Sequence, residues 1–273
     1  MKRAIHSDPS MIATYRILAV AFATMLSLPA VADNPASSPA GARVITPTPA
    51  IVIERDYYIS TLRAHLILER FVPTGAIVMF GDSLIQRTEI KDVGEHPVAN
   101  FGIAGDTSAG VVDRISRYKS LKSASAVVLE SAVNDLGFGP EYDARIVRNY
   151  SRMLRLVPQG TPTYIVGPLP INEPANAAFA GYNARLVKIS AGLQSLCKRT
   201  LNCHFIRPTG FADSQGNLRN NLRKRGDAVH LSPQGIRLLD SQIANAITDV
   251  KPEPVAPQVE DESKNTTQTS ASP

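Results

Sequence analysis

The chain of 273 residues has no tryptophan, and phenylalanine and tyrosine together make up only 6% of it. So thin an aromatic supply speaks against a binding site built from stacked aromatic platforms. Cysteine is scarce too: Cys197 and Cys203 are the two present, on either side of Lys198-Arg199-Thr200-Leu201-Asn202. In an oxidising compartment a disulfide closing that short loop is expected, with two reduced, buried thiols as the alternative. No metal site is expected, since His204 alone would add a third ligand. No internal repeat is visible.

The N-terminal apolar run, residues 17–28, is too short for a comfortable membrane span. It follows Lys2, Arg3 and Arg16 and leads to Pro29-Ala30-Val31-Ala32, a small-x-small site. Residues 1–32 therefore read as a signal peptide with cleavage after Ala32, an uncleaved anchor being the alternative. No cysteine lies near that site, which argues against a lipid-anchored product. The mature chain is expected in the periplasm or secreted, with no stable membrane insertion.

Hydrophobic residues make up 44% of the chain, which excludes a disordered protein and allows one full α/β core. Net charge is +5, and the same excess falls on residues 33–250, because the leader and the tail offset one another. That modest basicity suits polyanionic surroundings without specifying nucleic acid, and no nucleic-acid partner is expected. Residues 33–50, rich in Pro, Ala and Ser, read as a flexible lead-in. Residues 251–273, poor in apolar groups, cannot support a core. The globular unit is expected over 51–250.

Within that unit β-prone runs alternate with helical periodicity. Strands are expected at 76–80, 97–101, 126–130, 163–166 and 204–206, and helices at 55–71, 108–118, 142–157, 175–198 and 233–248. Val127-Val128-Leu129 and Tyr164-Ile165-Val166 are continuous apolar runs, as expected for strands covered on both faces. Such alternation implies a parallel sheet with right-handed crossovers, in a three-layer α/β/α sandwich.

Four polar segments fall at strand ends or before the last helix. They are Gly81-Asp82-Ser83-Leu84, the 100–107 stretch Asn-Phe-Gly-Ile-Ala-Gly-Asp-Thr, Ser131-Ala132-Val133-Asn134-Asp135, and Gly226-Asp227-Ala228-Val229-His230. Singly each is ordinary turn or capping chemistry. Together they supply what acyl transfer needs. A serine hydroxyl requires a base within hydrogen-bond reach, and His230 is the best of five histidines, with Asp227 three residues before it to hold the ring. His6 lies in the leader, His65 in an expected helix, and His96 and His204 flank strands without a carboxylate nearby. An oxyanion needs preorganised donors: Gly105 lets its N–H approach closely, Asn134 offers an amide, and Ser83 N–H sits at an expected helix start.

On these four blocks, residues 70–240 resemble the SGNH (GDSL) hydrolase superfamily. The resemblance implies a flavodoxin-like fold with a five-stranded parallel sheet and no cofactor. It implies Ser83 as nucleophile, His230 as base, Asp227 as its orienting acid, and Ser83 N–H, Gly105 and Asn134 as the oxyanion hole. The chain departs from the pattern at Ala132, where the third block usually has glycine, a change that bears on the placement of Asn134. The absence of a Gly-x-Ser-x-Gly elbow argues against a standard α/β-hydrolase. The expected activity is hydrolysis of short-acyl or O-acetyl esters on small molecules, envelope glycans or lipids, with Arg219, Arg223, Lys224 and Arg225 as candidates for steering an anionic substrate. An acyltransferase with the same triad and a non-catalytic envelope-binding module are the alternatives; oligomeric state is left open.

Overall fold

The computed structural model describes residues 55–249. The expected signal peptide, lead-in and C-terminal tail lie outside the described residues. Six strands form one sheet: β1 Ile77–Gly81, β2 Asp92–Val93, β3 His96–Gly102, β4 Ala126–Glu130, β5 Thr163–Val166 and β6 Cys203–Ile206, in the order β2-β3-β1-β4-β5-β6. The five longer strands are all parallel. Their order, counted among themselves, is the 2-1-3-4-5 of flavodoxin-like folds.

The sheet thus has six strands rather than the expected five. The extra one is a two-residue strand that pairs antiparallel with β3 through Asp92↔Pro97 and Val93↔His96. Gly94, at φ 60°, opens the two-residue turn between them. A pairing this short has no periodicity to read.

Alternation along each strand divides the core. Val78, Phe80, Val127, Leu129 and Ile165 face one side, against helices α1 Arg55–Leu68, α3 Ser108–Ile115, α4 Asp143–Leu156 and α5 Tyr182–Lys198. Ile77, Met79, Val128, Tyr164 and Val166 face the other, with α2 Ser83–Gln86 and α6 Pro233–Asp249. β1 and β4 are buried on both faces throughout. Burial of this kind, at about 25 cal/mol per Å² of apolar area, is the main force holding the layers together.

Helix starts follow the local chemistry. Ser232 Oγ accepts the Gly235 N–H at 3.2 Å, capping α6 with Pro233 at its first position. Thr107 caps α3 by accepting the Gly110 N–H at 3.2 Å. α5 differs most from expectation: it begins at Tyr182, not Ala175. Gly181 sits left-handed at φ 82° before it, and two short 3₁₀ turns, Glu173–Ala175 and Ala177–Phe179, replace the first helical turns.

The disulfide between Cys197 and Cys203 is formed, tying the end of α5 to the start of β6. Among the described residues no helix is long and apolar enough to cross a membrane, and no group of three His, Cys, Asp or Glu side chains is placed to hold a metal ion.

Candidate active site

β1 delivers Ser83 to the carboxyl edge of the sheet, where open parallel sheets place their reactive groups. Gly81 ends the strand, and the fully buried Asp82 turns the chain into α2 by accepting the Leu84 N–H at 2.8 Å. Ser83 becomes the first residue of that helix. Its Oγ lies 3.0 Å from His230 Nε2, across 147 residues of sequence.

Asp227 grips His230 twice and the neighbouring Val229 once. Its Oδ2 is 2.6 Å from Nδ1, and its Oδ1 accepts the N–H groups of Val229 and His230 at 2.9 and 3.0 Å. Burial pushes the Asp227 carboxyl up, but the bonds from His230 and Val229 outweigh it and hold the group well below the usual carboxylate range. An ionised Asp227 can only accept, so the ring must carry its proton on Nδ1. In the neutral imidazole Nε2 is then left to accept from Ser83 Oγ.

The candidate oxyanion donors line the same cleft as Ser83. Ile103, Ala104, Gly105 and Asp106 form a β-turn closed by Asp106 N–H to Ile103 C=O at 3.0 Å. Gly105 occupies its third position at φ 78°, a conformation that favours glycine. Asn134 lies in a 3₁₀ helix, Val133–Phe138, rather than in a simple turn after β4. Its Nδ2 donates to the Asp106 carbonyl at 2.8 Å, which fixes the amide with nitrogen toward the loop. Ala132, at the family's glycine position, has φ −157° and needs no left-handed backbone; its methyl packs into the core, and Asn134 still reaches Asp106. Ser83, Gly105, Asn134, Asp227 and His230 all line one cleft of about 500 Å³.

The other described histidines are engaged elsewhere. His65 packs against Phe101 with ring centroids 5.4 Å apart, and His204 stacks on Tyr164 at 4.9 Å. His96 Nδ1 is 2.8 Å from the Gly75 carbonyl. Of the basic run before Asp227, Arg223 braces the loop, donating to the Asp227 carbonyl at 3.0 Å and to Asn220 at 2.8 Å. Arg219 reaches the Gly210 carbonyl at 3.3 Å. Lys224 and Arg225 remain exposed beside Gly226, which lines the cleft.

Beneath the site lies a buried polar network that sequence reasoning did not single out. Arg114, 1% exposed, pairs with Asp106 at 2.7 Å and donates to the Gly81 carbonyl at 3.0 Å. It thereby links the strand end before Ser83 to the loop that holds Asn134. Burial pushes Asp106 up although Arg114 pulls it back. Asp135 accepts from both Ser108 Oγ at 2.6 Å and Ser108 N–H at 2.9 Å, and burial raises it to about 6. Burial pushes the Asp82 and Glu130 carboxyls up, Glu130 further because of the Asp82 charge, and Glu130 Oε2 is buried without a hydrogen-bond partner among the described residues. The signal that could have flagged these groups is an ionisable residue inside or directly after an apolar strand, as Glu130 and Asp82 are.

A flavodoxin-like sheet whose first strand ends in a Gly-Asp-Ser turn, with histidine and aspartate brought to that serine from the last loop, defines a class of acyl hydrolases. The family model of the GDSL-like lipase/acylhydrolase family matches residues 76–238. The chain belongs to that family and is an ester-hydrolysing enzyme. Comparison with the curated proteins returned no match. Among solved structures, the fold is similar to a Streptococcus pneumonia protein assigned as a platelet activating factor, with 18% identity, a TM-score of 0.61, and coverage of 70% of this chain and 92% of that one. It is also similar to a GDSL-like lipase from Bacteroides thetaiotaomicron at 17% identity and TM-score 0.59, covering 68% of this chain and 97% of that one. An acetyl xylan esterase, AlAXEase, is similar at 20% identity and TM-score 0.50, covering 63% and 99%.

Proposed function

We propose that this chain is a serine esterase that hydrolyses short-acyl or O-acetyl carboxylic esters through an acyl-serine intermediate. The observation that carries the reading is the continuous line Ser83 Oγ, His230 Nε2, His230 Nδ1, Asp227 Oδ2, with steps of 3.0 and 2.6 Å outside the ring. His230 takes the Ser83 proton as Oγ attacks the ester carbonyl, and Asp227 stabilises the imidazolium that forms. The developing oxyanion accepts from Ser83 N–H, Gly105 N–H and Asn134 Nδ2. Among the described residues neither of those two backbone N–H groups donates to a protein acceptor, so both are available. His230 then gives its proton to the leaving alkoxide. A water activated by the same ring hydrolyses the acyl-serine and regenerates the hydroxyl.

Substrate class is read from the surroundings. An acetyl ester of a glycan is compatible with the similarity to an acetyl xylan esterase. Lys224 and Arg225 would favour an anionic carrier. The leader expected at residues 1–32 would bring the enzyme to the periplasm or outside the cell, where envelope glycans and lipids are the available esters. Turnover of p-nitrophenyl acetate by the mature protein tests the reading: Ser83→Ala is expected to abolish it. Full activity in that variant overturns the nucleophile assignment.

A further inference from the structure

Gln86 ends the helix that Ser83 begins, one turn further on. Its side chain leaves the helix toward the Ile103–Asp106 turn, where Oε1 accepts the Ala104 N–H at 2.9 Å. Only the amide oxygen can accept from an N–H, so this bond fixes which end of the amide faces the turn. The nitrogen is then turned to Tyr57, with Nε2 donating to the phenol oxygen at 2.7 Å. The phenol in turn lies 3.0 Å from Oε1 and can return its own proton there. Tyr57 belongs to α1, which precedes residues 76–238, the part of the chain that matches the family. Both Tyr57 and Ala104 line the same cleft as Ser83 and Gly105.

The consequence for the turn is specific. Asp106 N–H to Ile103 C=O closes it, but that bond leaves the Ala104 peptide without an anchor inside the turn. Ala104 is followed by Gly105, and the peptide joining them carries the Gly105 N–H. Gln86 is thus the side chain that anchors the Ile103–Ala104 peptide, immediately before the peptide that carries the Gly105 N–H. Its backbone is fixed at the same time: its N–H donates to the Asp82 carbonyl at 2.9 Å, and it packs directly over Gly102. One residue therefore ties the Ser83 helix and the Gly105 turn into a single unit.

We propose that Gln86 and Tyr57 are positioning residues that hold the Gly105 N–H at the oxyanion, Gln86 by binding the Ala104 N–H and Tyr57 by holding Gln86. The proposal rests on the esterase reading above, in which Gly105 is an oxyanion donor. A misplaced donor weakens the transition state more than the bound ester, so the loss falls on kcat and not on KM.

The test uses p-nitrophenyl acetate with Gln86→Leu, Tyr57→Phe and the double variant, each checked for folding by thermal melting. Gln86→Leu is expected to lower kcat about 10- to 100-fold with KM essentially unchanged, as for a displaced catalytic group. Tyr57→Phe, which keeps the ring as a wall of the cleft, is expected to lower kcat about 3- to 10-fold through the lost hydrogen bond. Because Tyr57 acts through Gln86, adding Tyr57→Phe to Gln86→Leu should change kcat by less than about twofold. A loss confined to KM, wild-type kcat in either single variant, or fully additive losses overturns the proposal. Should Gln86→Leu fail to fold, Tyr57→Phe decides by itself: its hydroxyl sits on a partly exposed side chain, and unchanged kcat refutes the brace. Ser83→Ala run beside these variants decides the esterase reading separately, since it removes turnover whether or not the brace exists.

Discussion

Asn134 has two amide hydrogens, and in the resting structure one is committed to the Asp106 carbonyl at 2.8 Å. The contact to Asp82 Oδ2, at 3.5 Å, is too long to hold the second. That second N–H is the one a tetrahedral oxyanion would claim. On the proposed mechanism, Asn134→Ala lowers kcat for p-nitrophenyl acetate about 10²- to 10³-fold with little change in KM, as removal of one oxyanion donor does. An effect on KM alone would assign Asn134 to substrate binding instead. At this scale the residues of the site were legible because each sits in a short motif with its own chemical requirement: a serine at a strand end, an Asp three residues before a His, a glycine in a tight loop. Gln86, Tyr57, Arg114 and Glu130 were not. Their partners lie between 8 and 48 positions away in sequence, and a lone glutamine or tyrosine on a helix carries no local mark of a distant bond.

The two elements that meet at the site, α2 and β3, are packed so closely that only glycine fits between them. A Cβ on Gly102 would fall 2.7 Å from Gln86 Cα and closer still to Gln86 N. Gly102→Ala must therefore move the α2 backbone, for which about 1–3 kcal/mol of stability is expected to be lost, as in overpacked cores. Because Gln86 carries the turn, activity should fall further than the melting temperature alone explains. Urea unfolding together with kcat on the same preparation checks both. Strands β4 and β5 match the sequence expectation residue for residue, since a strand buried on both faces declares itself as a continuous apolar run. The expected helix 175–198 was too long by seven residues. Gly181 breaks it, and the irregular turns before it place Asn176 and Phe179 on the cleft. Periodicity averages over such breaks, so it merges a cleft wall with the helix behind it.

For the whole molecule, the buried acids make stability depend on pH. Burial holds the Asp82 and Glu130 carboxyls above their ordinary values, so the folded chain keeps protons that the unfolded chain has released. Wherever the folded state binds more protons, stability falls as pH rises. His65 works the other way: burial, then Arg114, lowers it from 6.5 to about 4, so between those values folding gains as pH rises. Asp227, held low, adds stability above the ordinary aspartate value of 3.8 and loses it as pH drops further. Above pH 6.5 the His65 contribution is complete and the raised carboxyls, Asp82 and Glu130 foremost, set the trend. With burial raising Asp82 to about 7 and Glu130 well above its ordinary value, the melting temperature is expected to fall as pH rises from 6.5 into the mildly alkaline range, and Glu130→Gln to flatten that fall. A melting temperature that rises or stays level over this range in the unaltered protein refutes the account.

What the sequence determined by itself was the fold class, the parallel order of long strands and the identity of Ser83, Gly105, Asn134, Asp227 and His230 as candidates. These are set by periodicity and by turn chemistry within a few residues, which are local forces. The tertiary structure decided the short antiparallel edge strand, the true start of α5, and which carboxyls and amides meet behind the serine. Those depend on Gly81, Asp106, Arg114 and Glu130 converging from two strands, a turn and a helix, all buried. Only the packed core brings such groups together, and only there do their charges and hydrogen bonds act strongly on one another.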